Sequence, residues 1–473
     1  MLFHTPEFFV FLTATLVLYY AFPKARLAIM ALANALFYAA TGLGYLALFI
    51  GIVSFVYLCS KQFGGKRGKG FFALALTVVI GNLLFFKYSL FMLRSLESSL
   101  HLHWLAGDSY LAKVVLPIGI SFYTFQLIAY IIDVNRGKLA PARSYLEFWV
   151  FISYFAHSLA GPILRGNDFL PQLEKLKAIK FSDSRFRLGL SYLALGLFKK
   201  IVLADWITPI VDQYFAHGAA MTGGEAWIAS YLFAFQIYFD FSAYSEMAVG
   251  IGYLMGLRLD LNFRTPYLSG NGTEFWARWH ITLSSWIKDY VYIGLGGSRR
   301  GEIRRYVNLL AAMAISGLWH GAAWTFVAWG LMHGVLLVVH KFYVKLKKKW
   351  GWQRLDESRL YRWACVFVFF HVVCITWVLF RVSGMGNALR TIGKMFDISR
   401  LSFTGLYPYI ALAALLFLLH IGEYLVRKHA SLLSEKWHRF VPSPARAVVY
   451  TVFIVAIVLC MQSKVSNFIY FQF

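Results

Sequence analysis

Unbroken apolar runs limit this chain more than any other feature. Spanning a hydrocarbon core as a helix takes roughly 20 apolar residues, and with no water there each backbone polar group must be paired inside the segment. Runs of this kind lie at 8–22, 27–40, 45–58, 71–93, 114–134, 188–204, 228–255, 306–339 (two spans), 363–380, 409–425 and 447–461. They are continuous rather than alternating, which excludes a β-barrel. Charged residues make up only 14% of the chain and hydrophobic ones 59%, far from the balance of a soluble protein. The runs therefore predict an all-α polytopic membrane protein, with about 11–12 transmembrane helices plus re-entrant or interfacial helices.

The net charge of +24 is carried in short loops between the runs, where cytosolic topology signals sit. Topology and contact with anionic membrane lipids account for it without nucleic acid, and the same loops are placed to attract a phosphorylated cytosolic donor. Lys24 and Arg26 fill the first loop, 41–44 is uncharged, and Lys61, Lys66, Arg67 and Lys69 fill the third. The fourth is mixed, and Arg136, Lys138 and Arg143 mark the fifth. This alternation predicts an external N-terminus. No basic stretch precedes the first run, which reads as a retained span rather than a cleaved signal. Cys59, Cys365, Cys374 and Cys460 all lie in apolar segments without a C-x-x-C pair, as small buried hydrophobes do.

Beyond residue 147 the pattern loosens. The run 148–163 ends in Ala160-Gly161-Pro162 and a basic stretch follows, as in a segment that dips into the membrane and returns under cover of protein. The loop before 228 carries Asp205, Asp212 and Glu225 but no lysine or arginine, so it is expected outside. In 276–290, Trp276, Trp279, His280, Leu283, Trp286, Ile287 and Tyr290 share one helical face, while Arg278, Thr282, Ser285, Lys288 and Asp289 share the other. That spacing fits an amphipathic helix at the interface, or a re-entrant hairpin. With no internal repeat and no linker, 1–473 reads as one membrane domain: N-terminal spans in 1–134, a core at 147–340 and C-terminal spans in 341–473.

Ser316-Gly317-Leu318-Trp319-His320-Gly321 places one histidine inside an apolar run. A lone histidine on an apolar face is ordinarily a satisfied core residue. Within a membrane, however, ionisable groups tend to line functional cavities, and imidazole is the side chain that exchanges protons near neutral pH. Gly317 and Gly321 allow a backbone or a substrate to come close. We read His320 as catalytic and His280, on the inward stripe of its segment, as its partner. The run Tyr238-Phe239-Asp240-Phe241-Ser242-Ala243-Tyr244-Ser245-Glu246 is the other polar cluster in a span. It is either a structural network or a lining of the reaction cavity in which Asp240 or Glu246 orients a histidine. No H-E-x-x-H, G-x-S-x-G or phosphate loop is present in a convincing context, which speaks against a zinc site, a serine hydrolase or a nucleotide-driven pump. His101 and His103 sit in an external loop and read as incidental.

Several blocks in order resemble the membrane-bound O-acyltransferases, most closely the bacterial alginate O-acetylation branch. They are Leu116 to Gln126, Ala160-Gly161-Pro162-Ile163, Tyr238 to Glu246, Asn262-Phe263-Arg264-Thr265-Pro266-Tyr267, Phe275 to Ser284, Ser316 to Gly321, and Phe468 to Phe473. The resemblance implies a ring of helices around a thinned centre, with a tunnel joining the two faces of a bacterial cytoplasmic membrane. It makes His320 the match of the family's active-site histidine. His280 matches a second polar position that is asparagine or aspartate in many eukaryotic members. Asp240, Ser242, Tyr244, Glu246, Asn262, Trp279, Ser284 and Trp319 would support the pair or line the tunnel.

The implied reaction carries an acetyl group from a cytosolic thioester, acetyl-CoA, towards an extracytoplasmic polysaccharide, with no bound cofactor and no metal. An SGNH-type acetyltransferase outside the membrane and a polysaccharide synthesis complex would be the partners. D-alanyl-type transfer from a carrier protein, and an acyl or glycolipid transporter without chemistry, are the alternatives.

Overall fold

The computed structural model describes residues 1–100, 116–158, 161–461 and 468–469. His101, His103, Ala160 and the last four residues of the C-terminal block lie outside the described residues. Among those described, every regular element is helical. Five helices are long and apolar enough to cross a membrane: Leu43–Ser60, Gly68–Leu100, Trp324–Lys349, Arg359–Arg381 and Tyr407–Lys428. The pair Pro6–Ala21 and Pro23–Ala39, bent by 112°, makes a sixth if taken as one broken span. Many exposed side chains on these helices are hydrocarbon, such as Val339, Val368 and Leu418, each more than half exposed, as lipid-facing surfaces require. The protein is an all-α, multi-pass membrane protein.

Several of the expected spans take other forms. The run at 114–134 yields the helix Ile120–Asn135, buried over most of its length. The run at 188–204 is the helix Asp183–Leu197 continued by a π-helical turn, Phe198–Ala204. The run at 228–255 becomes Gly223–Leu254, 32 residues long and buried nearly all round. At 1.5 Å per residue it is about 48 Å long, well beyond a hydrocarbon core of about 30 Å.

The chain divides into two compact units: residues 1–193 with 244–260, and residues 194–243 with 261–473. The first is held by polar anchors on apolar helices. The Phe22–Pro23 junction breaks the first helix pair, as a residue before proline resists the α conformation. Just beyond the break, buried Arg26 donates to the carbonyls of Tyr19, Leu176 and Ile179. Asn34 joins Ser153 and the amide of Phe155. Those contacts hold the segment read as a membrane dip: a helix Tyr145–Ser153, started by a Ser144–Glu147 capping box, that gives way to buried irregular chain.

The second unit contains both candidate histidines. The helices Glu302–His320 and Trp324–Lys349 form its central hairpin. They meet at Gly317 and Gly330, where an added β-carbon would overlap the carbonyl oxygens of Phe326 and Met313 respectively. Small residues at such a crossing let two backbones touch.

Candidate active site

His320 is the last residue of its helix, and the chain turns at Gly321 into extended backbone before the next helix begins at Trp324. The turn leaves the imidazole pointing into an aromatic enclosure rather than along a helix face. Its ring lies 4.9 Å from Trp319, 5.0 Å from Trp329 and 5.3 Å from Phe380, centroid to centroid, all edge-on. The room that Gly317 and Gly321 leave is occupied by the chain itself, namely the carbonyl and ring of Phe326.

His280 arrives by a different route. The segment expected to be an amphipathic helix or a re-entrant hairpin is two short helices, Gly272–Trp276 and Ile281–Trp286, followed by a π-helical turn, Ile287–Tyr292. The break has a visible cause. Asn262 is fully buried; its carbonyl accepts from the amide of Ile281, and its Oδ1 accepts from both the amide and the hydroxyl of Thr282. These three bonds pull the second helix onto the 262 loop and bury Thr282, which the helical-face reading had placed on the polar side. His280 stands at the break with φ 43°, in the left-handed region. That region is uncommon for any residue but glycine, though histidine, asparagine and aspartate tolerate it better than most. Ser284 secures the turn, its hydroxyl on the carbonyl of Trp279 and its amide on that of His280.

The two imidazoles, distant in sequence, come together with ring centroids 6.5 Å apart. Trp319 stands 5.8 Å from His280. Trp279, also buried, stacks on Phe275 at 5.6 Å and meets Trp377 at 5.0 Å, forming part of the wall. His280 is 0% exposed and His320 3%, so both imidazoles are held out of water. Of the ten residues named from sequence, His280, His320, Trp279, Trp319, Asn262 and Ser284 build this centre.

The polar cluster on the long helix divides. Asp240 accepts the amide of Ile469 at 2.7 Å and pairs with Lys200 at 2.8 Å. Ser242 is completely buried. Tyr244 and Glu246 belong to the first unit. There the Tyr244 hydroxyl lies 3.2 Å from Nδ1 of His4, and Glu246 is 2% exposed.

Sequence reasoning missed a second set of ionisable groups. Lys200 also pairs with Asp205 at 2.8 Å. Its neighbour Lys199 meets Glu423 at 2.7 Å, and Glu423 also takes Arg427 at 2.9 Å and the Tyr238 hydroxyl at 2.8 Å. His420 accepts the amide of Tyr267, and His333 faces Thr376 at 3.1 Å. A lysine pair inside a span and a glutamate inside another were signals available in the sequence, because isolated charges are costly there. Among the described residues, no group of three or more His, Cys, Asp or Glu is arranged to hold a metal ion.

Known proteins share this arrangement of sequence. The profile of the membrane-bound O-acyltransferase family matches residues 138–382, which include both histidines. The protein named probable alginate O-acetylase AlgI in Pseudomonas putida is 34% identical, with 98% of each chain covered. A peptidoglycan O-acetyltransferase of Helicobacter pylori is 33% identical over 85% of this chain and 81% of its own. A teichoic acid D-alanyltransferase of Bacillus subtilis is 27% identical over 56% of this chain and 68% of its own. With half the chain matched by the profile and nearly all of it by a relative, the protein belongs to the membrane-bound O-acyltransferase family and is an O-acyltransferase.

Proposed function

We propose that the protein passes an acetyl group from acetyl-CoA, at the cytosolic face of a bacterial cytoplasmic membrane, to an extracytoplasmic acceptor for O-acetylation of a polysaccharide of the alginate, cellulose or peptidoglycan type. The acceptor or its carrier would be an SGNH-type acetyltransferase beside a polysaccharide synthesis complex. One observation carries this reading: two imidazoles 6.5 Å apart in a buried aromatic enclosure. The similarity, over most or nearly all of the chain, to proteins named for alginate and peptidoglycan O-acetylation supports acetyl as the group moved. The D-alanyl relative covers less of the chain.

In this mechanism His320 takes the proton of the acceptor hydroxyl as its oxygen attacks the thioester carbonyl. A C–O bond forms, the C–S bond breaks, and the departing thiolate recovers the proton from the imidazolium. His280 polarises the carbonyl or donates to the developing oxyanion, a contribution that is often the largest single one in acyl transfer. Because coenzyme A is too charged to cross hydrocarbon, only the acetyl group passes. Entry of that group requires the side chains enclosing the pair, Trp319 among them, to swing aside, since neither imidazole is open to water in the arrangement seen here.

The test is turnover. Wild-type protein in nanodiscs should consume radiolabelled acetyl-CoA and label an acceptor, and His320→Ala should not. Gradient-driven uptake of an acyl compound by wild-type and His320→Ala protein alike would replace the enzyme with a transporter.

A further inference from the structure

We infer that the Phe468–Ile469 pair is a positioning element for His280, anchored by the Lys200–Asp240 ion pair and acting through Phe241. The inference rests on the acyl-transfer reading above for its kinetic arm only. The orientation of a working imidazole is usually set by a hydrogen bond at its second nitrogen. Neither ring nitrogen of His280 is hydrogen-bonded to another residue among the described ones. Its ring direction must therefore come from the backbone turn and from packing.

The nearest packed ring is Phe241, edge-on at 4.8 Å and 86°. Phe241 in turn packs against Phe263 at 5.0 Å and Phe468 at 5.8 Å. Phe468 is 0% exposed and follows the same chain as Ile469, whose amide is fixed on Oδ2 of Asp240 at 2.7 Å. Oδ1 of the same carboxylate lies 2.8 Å from Nζ of Lys200. Lys200 is held by Asp205 as well, on a π-helical turn. Asp240 and Phe241 are neighbours in sequence, so one carboxylate fixes both its own helix and the chain that carries Phe468 against Phe241. Charge holds the anchor, and the anchor holds the ring that backs the imidazole.

The test compares Phe468→Ala and Asp240→Ala with wild type in nanodiscs. Each should lose on the order of 10²-fold in kcat for acetyl transfer, the cost of moving a reacting group by about 1 Å, with the donor KM unchanged. Phe468→Leu, which refills most of the volume, should recover most of the rate. A second readout needs no turnover. Modification by diethyl pyrocarbonate, read by peptide mass spectrometry, should accelerate at His280 in both alanine variants while His333 and His420 stay at their wild-type rates. Wild-type kcat and His280 labelling in Phe468→Ala would overturn the inference, as would labelling that rises at all three histidines together. If Asp240→Ala is not recovered folded, Phe468→Ala and Phe468→Leu decide alone. The labelling stands even for a protein that turns over no acetyl thioester, so failure of the proposed function and failure of the anchor are read separately.

Discussion

Two polar clusters in the second unit treat their side chains in opposite ways. Around Glu423 and Asp240, every carboxylate meets a cation at 2.9 Å or less: Lys199 and Arg427 on one, Lys200 on the other. Around His280 the walls are rings, and the imidazole has no hydrogen bond to another residue among the described ones. The difference follows from charge. An ionised group in hydrocarbon costs several kcal/mol unless paired, so the lysines, aspartates and glutamate saturate one another and are committed to structure. A neutral imidazole can be buried at a smaller cost, and its nitrogens are then left for a substrate. Paired charges hold the scaffold together, whereas His280 is bounded by rings.

Replacing the groups on each side of that contrast should separate them. The largest effect is expected at His320: His320→Ala should lower acetyl transfer by on the order of 10²–10⁴-fold, with protein yield and thermal stability in detergent unchanged. Normal surface acetylation in that strain would end the assignment. Glu423→Ala should do the reverse, acting on stability first. It leaves Lys199 buried without its carboxylate, a loss of about 3–5 kcal/mol, seen as a lower unfolding temperature.

Asn262→Ala lies between the two. Removing the acceptor for Thr282 should cost about 1–3 kcal/mol and also slow turnover, because the same bonds set the His280 turn; Asn262→Asp, which keeps the acceptor, should retain more of both. The smallest change is expected for His333→Gln, which keeps a polar partner for Thr376: about 0.5–1.5 kcal/mol of stability and wild-type kcat. A collapse of kcat there would show that His333 acts together with the candidate pair and not only in packing.

Much of this was legible in the sequence because membranes make polarity conspicuous. The apolar runs gave the helical, multi-pass class, and a histidine among Trp319, Gly317 and Gly321 stood out from its run. The inward stripe of 276–290 placed His280 towards His320, and the ring distance agrees. The break at 277–280 was not legible, because helical spacing carries no sign of a distant asparagine capturing Thr282. Nor was the fate of Asp240, whose partners lie 40 residues before it, at Lys200, and 229 after it, at Ile469. Lys199, Lys200 and Glu423 were visible inside apolar runs, but only the fold shows which opposite charge each one meets. The division into two units falls inside one continuous helix, Gly223–Leu254, where composition marks no boundary.

The positive φ at His280 restricts which amino acids the second polar position can accept. Valine and isoleucine are strongly disfavoured in that dihedral well, whereas histidine, asparagine and aspartate are among the side chains that enter it most readily. The same three are the ones the family resemblance places there. Backbone geometry thus screens the position before any chemistry is selected, admitting short or flat polar groups. Exchange among those three would preserve the loop and alter the polar group it presents, a donor in histidine and asparagine but an acceptor in an ionised aspartate.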